Sequence, residues 1–120
     1  MSAQNLYTIR RAIALNGKPY AIRREQLDEY GDTTDALETL FSGRGLYHES
    51  SGFLDVSLSD SGHVETRKTP MLLILYGDAP EGKKPDIDDR AEIDGKPYRI
   101  TGVRNPGGLD LVLDLSLREA

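Results

Sequence analysis

The sequence has no cysteine and no tryptophan, and its 120 residues include only two histidines. Without cysteine, the chain has no disulfide bond, no thiolate nucleophile and no zinc site that depends on cysteine ligands. The longest apolar run, MLLILY at 71–76, has the length of a strand. It is far shorter than the roughly 18 residues of a membrane-spanning helix, and the first residues lack the charged and apolar regions of a secretory signal. We therefore expect no membrane partner.

The charge of the chain is acidic overall but unevenly distributed. The mean hydropathy of -0.49 is typical of a soluble chain, and the length fits one domain, residues 1–120, with a small core. The formal net charge of -5 argues against a general nucleic-acid binder. Residues 1–24 nevertheless contain five basic residues and no acidic one. This segment is a candidate surface for an acidic partner.

Turn signals divide much of the chain into short strands. Asn16-Gly17 predicts a hairpin between strands at 8–15 and 19–23, because both positions accept the positive φ of a type I′ turn. The helical spacing of apolar residues before Asn16 is the alternative interpretation. Asp94-Gly95 predicts a second hairpin of the same kind.

Residues 36–48 are interpreted as a long kinked strand, although the spacing of apolar residues at its start is also compatible with a helix. The second half of the chain carries the clearest strand patterns. Residues 71–76 are interpreted as a strand buried on both faces. Gly102 shifts the alternation, which predicts a β-bulge. From Leu109 to Leu117 every second residue is leucine, so we expect these five leucines to face one core. Together the patterns predict an all-β fold, a small antiparallel β-barrel of about seven strands with one long loop at 49–69.

Catalytic signals are weak. His48 and His63 lie 15 residues apart in a polar segment, with no spacing typical of a metal site or a nucleophile–base pair. The acidic run 86–89 lacks the spacing of a calcium loop, and no glycine-rich phosphate-binding motif is present. We predict that the protein is not an enzyme and needs no cofactor or metal.

Tyrosines beside arginines are the only candidates for a base-stacking platform. Tyr20 precedes Arg23 in one predicted strand, and Tyr98 precedes Arg99 in another. A platform needs aromatic side chains on an exposed face among basic ones. We favour core or barrel-rim positions for both tyrosines.

The order of features carries a family resemblance. A strand ending in GLYH at 45–48 is followed by a long polar loop, the apolar strand 71–76 and an acidic loop. The stretch DDRAEIDGKPYRITGV at 88–103 and a leucine-rich strand then close the pattern. This order resembles the head-completion, or stopper, proteins of long-tailed phages and related prophages. The resemblance covers about residues 13–117 and is strongest from Pro70 onward.

The resemblance implies a structural role in the virion. Stopper proteins are small β-barrels that form a ring below the portal and its adaptor, close the DNA exit channel and dock the tail. For this chain it implies self-association, as a hexamer in the virion, with the portal-adaptor ring on one side and a tail terminator or tail tube on the other. Duplex DNA would pass close by without specific contacts. The expected location is the virion neck, and the host cytoplasm during assembly.

The resemblance also places a channel-plugging loop at 49–69. Its glycines would act as hinges, and its apolar residues would form a constriction where subunits converge. The candidate plug residues are Ser50, Gly52, Phe53, Leu54, Val56, Leu58, Gly62 and His63.

A ring of identical subunits needs two different contact patches on each chain. The basic N-terminal segment and the acidic region 78–94 are complementary in charge, and we expect them to meet between subunits. The candidate interface residues are Arg10, Arg11, Arg23, Arg24, Asp86, Asp88 and Asp89.

Two alternatives stay open. One is another neck component such as a tail terminator, which also forms rings; an adaptor would be largely helical. The other is an OB-like or SH3-like nucleic-acid-binding module. Such a module predicts affinity for nucleic acid with a steep salt dependence, whereas a stopper predicts negligible affinity for free duplex.

Overall fold

The computed structural model describes residues 3–50, 56–58, 64–66 and 69–120. Within these residues one α-helix is followed by eight strands. They are α1 (Ala3–Asn16), β1 (Lys18–Leu27), β2 (Thr33–Ser50), β3 (Val56–Leu58), β4 (Val64–Thr66), β5 (Thr69–Leu75), β6 (Arg90–Ile93), β7 (Lys96–Arg104) and β8 (Val112–Glu119).

Six of the strands close into an antiparallel barrel. Their order around the barrel is β1-β2-β5-β8-β7-β6, and β3 pairs with β4 in a separate two-stranded sheet. This confirms the prediction of an all-β fold with a small antiparallel barrel. The segment 49–69, expected as one loop, begins in β2 and ends in β5 and contains β3 and β4. Within its described residues it is therefore partly a β-ladder rather than a plain loop.

The core fills the barrel because side chains alternate along every strand. Apolar residues of β1, β5, β7 and β8 meet inside with essentially no solvent exposure, while their neighbours in sequence point outward. The fully buried side chains are Ile22, Leu72, Ile74, Ile100, Val112 and Leu115. All of these except Val112 belong to the interior cluster.

The last strand begins later than the leucine pattern suggests. Leu113, Leu115 and Leu117 are buried as predicted, whereas Leu109 is 46% exposed and Leu111 is half-buried. The turn at Pro106–Gly108 and the positive φ of 55° at Asp110 interrupt the extended backbone ahead of β8. The prediction of five leucines on one core face is therefore wrong for the first two.

The predicted hairpin at Asn16-Gly17 is also wrong, because the residues before it form α1. The Gly17 N–H donates to the Ile13 carbonyl at 2.8 Å, which completes the last helical turn. A Cβ at Gly17 would lie 2.4 Å from that carbonyl oxygen, so only glycine fits here. β1 is hydrogen-bonded to β2 on one side and to β6 on the other. Along the barrel it therefore has no free edge for a preceding strand.

The second hairpin and the bulge are confirmed. Asp94 and Gly95 have φ values of 51° and 84°, and they join Ile93 directly to its partner Lys96, as in a type I′ turn. Between Ile100 and Gly102 the register of β7 against β8 shifts by one residue. This extra residue in β7 is a β-bulge, which increases the local twist of the strand. The local turn chemistry therefore sets the β6–β7–β8 register.

Candidate interaction surfaces

The described residues contain no group of three or more side chains able to hold a metal ion. A shallow cavity of about 330 Å³ beside the β6–β7 turn is lined by Lys18, Tyr47, Lys96 and Tyr98, among others. Each lysine ammonium lies over a tyrosine ring, at 5.4 Å for Lys18 and 5.5 Å for Lys96. These contacts hold the cations against aromatic faces. The cavity has no side chain pair suited to nucleophilic catalysis among those that line it.

Arg24 and Asp89 form a bidentate ion pair within the chain. Arg24 Nε and Nη2 each donate to one carboxylate oxygen at 2.8 Å, and the Asp86 backbone N–H donates to the same carboxylate at 2.9 Å. The hydrogen bond to Asp89 raises the pKa of Arg24. Because Asp89 is only 4% exposed, this pair fastens β1 to the loop before β6. Arg24 and Asp89, both candidates for a contact between subunits, are thus paired with each other within one chain.

Four arginines form a continuous row on the outer surface of the barrel. In the antiparallel registers Arg23 of β1 lies opposite Arg90 of β6, Arg90 opposite Arg99 of β7, and Arg99 opposite Arg118 of β8. Each of the four is next in sequence to at least one core residue, so the four side chains point outward; these core neighbours are Ile22, Ala91, Tyr98, Ile100 and Leu117. We call these four residues the arginine row; it follows three strand spacings around the six-stranded barrel, so its two ends, Arg23 and Arg118, lie on opposite sides of the barrel.

The arginine row is only half neutralised. Arg23 pairs with Glu92 at 3.2 Å, and Arg90 pairs with Glu25 at 3.1 Å. Arg99 and Arg118 have no ion pair within the described part of the chain. Like charges directly opposite each other in a sheet are destabilising, so the row costs folding free energy that its two acidic partners offset only in part.

The β1–β2 hairpin extends beyond the barrel. β6 pairs with β1 only over Tyr20–Arg23, and β5 pairs with β2 only from Leu46 onward. Residues 25–38 therefore form a two-stranded ribbon, which we call the β1–β2 arm. The Cα radius of gyration is 16.1 Å, whereas a compact chain of this length has about 14 Å. The arm contributes to this elongation.

The end of the arm is both acidic and apolar. Leu27 is 63% exposed and Tyr30 is 82% exposed. The turn at 28–32, which joins β1 to β2, contains three carboxylates. We call Asp28, Glu29 and Asp32 the acidic tip. The Asp28 carboxylate accepts the N–H groups of Tyr30 at 2.8 Å and Asp32 at 2.9 Å, which fixes the turn.

The candidate plug residues are only partly described. Ser50 ends β2 and pairs with Thr69, while Val56 and Leu58 occupy alternate positions of β3. Gly52, Phe53, Leu54, Gly62 and His63 lie outside the described residues.

The remaining interface candidates do not come together. Arg10 and Arg11 are exposed on α1, because the N-terminal segment is helical. Asp86 and Asp88 are exposed in the loop before β6, where Asp88 has a φ of 75°. Of the basic candidates, only Arg23 and Arg24 of β1 have acidic partners among the described residues, and both partners belong to the same chain.

The tyrosines that were candidates for base stacking are in the barrel interior. Tyr20 is 3% exposed and Tyr98 is 6% exposed, which confirms the preferred core interpretation. The Tyr20 hydroxyl has no hydrogen-bond partner among the described residues. Burial, with a smaller contribution from the Asp78 carboxylate, raises the pKa of Tyr20 well above its usual range. The two rings are therefore unavailable to a nucleic-acid base.

Comparison with known proteins gives no family: no protein-family model matches the sequence, and no curated protein matches it. Among the described residues, no helix combines the length and apolar character needed to cross a membrane. The sequence reasoning missed the arginine row, although each of its members follows or precedes a strand residue that faces the core. That alternation indicates that each arginine points outward. The registers that bring the four strands side by side cannot be found from the sequence.

Proposed function

We propose that this chain is a structural head–tail joining protein of a tailed phage. In this role it forms a ring below the portal and adaptor, closes the DNA exit channel and docks the tail. The observation that carries the proposal is the division of the chain into a closed six-stranded barrel and two separate two-stranded elements, the β1–β2 arm and β3–β4. A closed barrel has no free strand edge, so such elements are its natural contacts with neighbours.

The position of β3–β4 supports the proposal. This hairpin is inserted between β2 and β5, where the family resemblance places the channel loop. Its ladder runs from Val56 opposite Thr66 to Leu58 opposite Val64. In a ring, several copies of the hairpin would converge near the axis and supply apolar residues to a common constriction. Burial there would offset the entropy of ordering the segment.

The charge of the chain also suits a DNA conduit. Packaged DNA has to leave the head quickly, so the channel wall should not hold phosphates, and a net charge of -5 lowers nonspecific affinity. Among the described residues, the large exposed apolar side chains are divided between α1, the β1–β2 arm and two loops. We therefore expect the free subunit to be monomeric or weakly associated, with ring formation templated by the portal and adaptor.

The decisive experiment is genetic. In the phage or prophage that encodes the chain, deletion of its gene should give tail-less heads that have lost their DNA, together with free tails. Deletion of residues 52–62 alone should leave the barrel folded and allow DNA to leak from filled heads. Normal tailed particles without the protein would contradict the proposal. Tail-less heads that retain their DNA would instead favour a tail terminator.

The second candidate function is a nucleic-acid-binding module, and the arginine row is the observation that favours it. This candidate predicts micromolar or tighter affinity for a 20–30 base-pair duplex, with affinity that falls steeply as salt is raised. The joining protein predicts negligible binding in the same fluorescence anisotropy titration.

A further inference from the structure

The arginine row and the acidic tip are opposite in charge, and both face solvent. The row contains two guanidinium groups without a described ion-pair partner, on Arg99 and Arg118. The tip contains three carboxylates in five residues beside the exposed ring of Tyr30. Arg23 and Arg90 are already paired with Glu92 and Glu25, so the part of the row open to an anionic partner is Arg99 and Arg118.

The tip of one chain does not lie near the free end of its own row. Leu27 is four residues beyond Arg23 along β1, a rise of about 13 Å that carries the tip away from the row. Arg118 lies three strands from Arg23 around the six-stranded barrel, and therefore on the opposite side of its wall. In addition, the described residues show no ion pair between the two surfaces. The complementary surface must come from another molecule.

We propose that the arginine row of one copy binds the acidic tip of the β1–β2 arm of a second copy, so that identical subunits associate head to tail. Two different patches on each chain form this contact, which is the arrangement that generates rings. The contact deepens the proposed function by naming the subunit interface, and its expectation of a closed ring rests on that function.

The chemistry of the two surfaces matches group by group. Arginine binds carboxylates through paired N–H donors, and its planar guanidinium also stacks on aromatic rings. Glu29 and Asp32 of the tip have no described ion pair, and Tyr30 is exposed between them. Two free guanidinium groups thus face two free carboxylates with an aromatic ring between them. Asp28 keeps the turn in shape through its backbone contacts.

A second copy fits the row better than duplex DNA. Glu25 and Glu92 neutralise two of the four arginines and would repel phosphates beside them. Affinity for duplex DNA comes largely from neutralising several phosphates, whereas the row offers two guanidinium groups without an ion-pair partner among the described residues. The exposed aromatic ring lies on the acidic tip rather than on the row. The contact is small, so we expect weak association that salt suppresses.

Reciprocal charge reversal tests the proposal. One variant reverses the row with Arg99→Glu and Arg118→Glu, and the other reverses the tip with Glu29→Lys and Asp32→Lys. In sedimentation equilibrium at low salt and up to millimolar concentration, wild-type protein should associate reversibly. Each variant alone should associate at least tenfold more weakly, because both of its surfaces then carry the same sign. An equimolar mixture should recover the wild-type affinity, since alternating subunits restore every contact.

Matched controls separate this contact from general charge effects. Glu81→Lys and Lys83→Glu change exposed loop charges outside both surfaces and should leave association unchanged. Circular dichroism checks that every variant is folded. No association of wild-type protein at millimolar concentration, unaltered association of the single variants, or failure of the mixture to recover would each overturn the proposal. Duplex binding that is lost with Arg99→Glu and Arg118→Glu but kept with the tip variant would also overturn it. If the interface fails while the protein is still found in virion necks, the proposed function survives.

Discussion

Strand β1 belongs to two regions with different physics. Over Tyr20–Arg23 it is hydrogen-bonded to β2 and β6, and Ile22 has no solvent exposure. From Glu25 to Leu27 it pairs with β2 alone, and Leu27 is 63% exposed. The first half of β1 therefore belongs to the barrel wall, and its second half belongs to the two-stranded β1–β2 arm. Two-sided pairing with burial gives stability, while the one-sided part leaves side chains available to other molecules.

The largest contrast between the regions should come from leucine truncation. Leu115→Ala in the barrel should lower the free energy of unfolding by about 2–5 kcal/mol, because the fully buried side chain leaves a cavity. Leu37→Ala in the arm removes the same atoms from a 43% exposed side chain and should cost under about 0.5 kcal/mol. Urea denaturation of both variants measures the difference. Equal losses would mean that the arm is part of the core.

The next effect concerns the ion pair that fastens the barrel to the loop before β6. Arg24→Met should cost about 2 kcal/mol, since the Asp89 carboxylate keeps its buried position but loses its bidentate partner. Arg24→Lys should recover only part of this loss, because an ammonium lacks the forked geometry. Arg104→Met is the matched control on an exposed strand position. Thermal unfolding with no difference between Arg24→Met and this control would contradict the structural role of the pair.

A smaller effect, of opposite sign, is expected inside the barrel. Tyr20→Phe should raise the free energy of unfolding by about 1 kcal/mol at pH 7, because the buried hydroxyl lacks a hydrogen-bond partner among the described residues. The folded-state pKa of Tyr20 is raised, chiefly by burial and then by Asp78. Stability that depends on the neutral phenol is therefore complete below about pH 10 and is lost as the pH rises further.

Tyr20→Phe should accordingly flatten the decline of stability above pH 10, as measured by urea denaturation across that range. Tyr30→Phe, at an 82% exposed position, is the control and should leave the profile unchanged. Identical alkaline profiles for wild type and Tyr20→Phe would show that the hydroxyl is solvated.

The smallest effect on folding is expected at the tip of the arm. Tyr30→Ser should change the free energy of unfolding by under about 0.5 kcal/mol, because the side chain is mostly in solvent. The same substitution should weaken self-association several-fold if the ring stacks on an arginine of a neighbour. Sedimentation equilibrium and denaturation on one sample separate the two effects. A large loss of stability would place Tyr30 in the folded core instead.

Local patterns in the sequence predicted most of the barrel but not its surfaces. The Asp94-Gly95 hairpin, the Gly102 bulge and the buried Leu113 and Leu115 follow from turn chemistry and alternation, which act between near neighbours. The N-terminal helix was missed because Asn16-Gly17 favours a hairpin in isolation. In the folded chain β1 is already paired with β2 and β6 in the closed barrel, so residues before Asn16 have no strand edge to join.

The surface features depend on contacts between distant parts of the chain. The Arg24–Asp89 pair joins residues 65 positions apart, and the arginine row needs the registers of four strands at once. Charge counting over 1–24 found the basic residues but not their partners within the chain. The register of β1 with β6 brings Arg23 and Arg24 to acidic residues of the same chain.

The most direct test of the account compares hydrogen exchange in dilute and concentrated protein. The central claim is that the barrel supplies stability and the β1–β2 arm supplies contact. We predict that amides of 72–74 and 113–117 are strongly protected in both samples, as expected for strands paired on both sides. Amides of 25–37 should exchange at least tenfold more slowly in the concentrated sample. Equal protection of the arm amides at both concentrations would contradict the account.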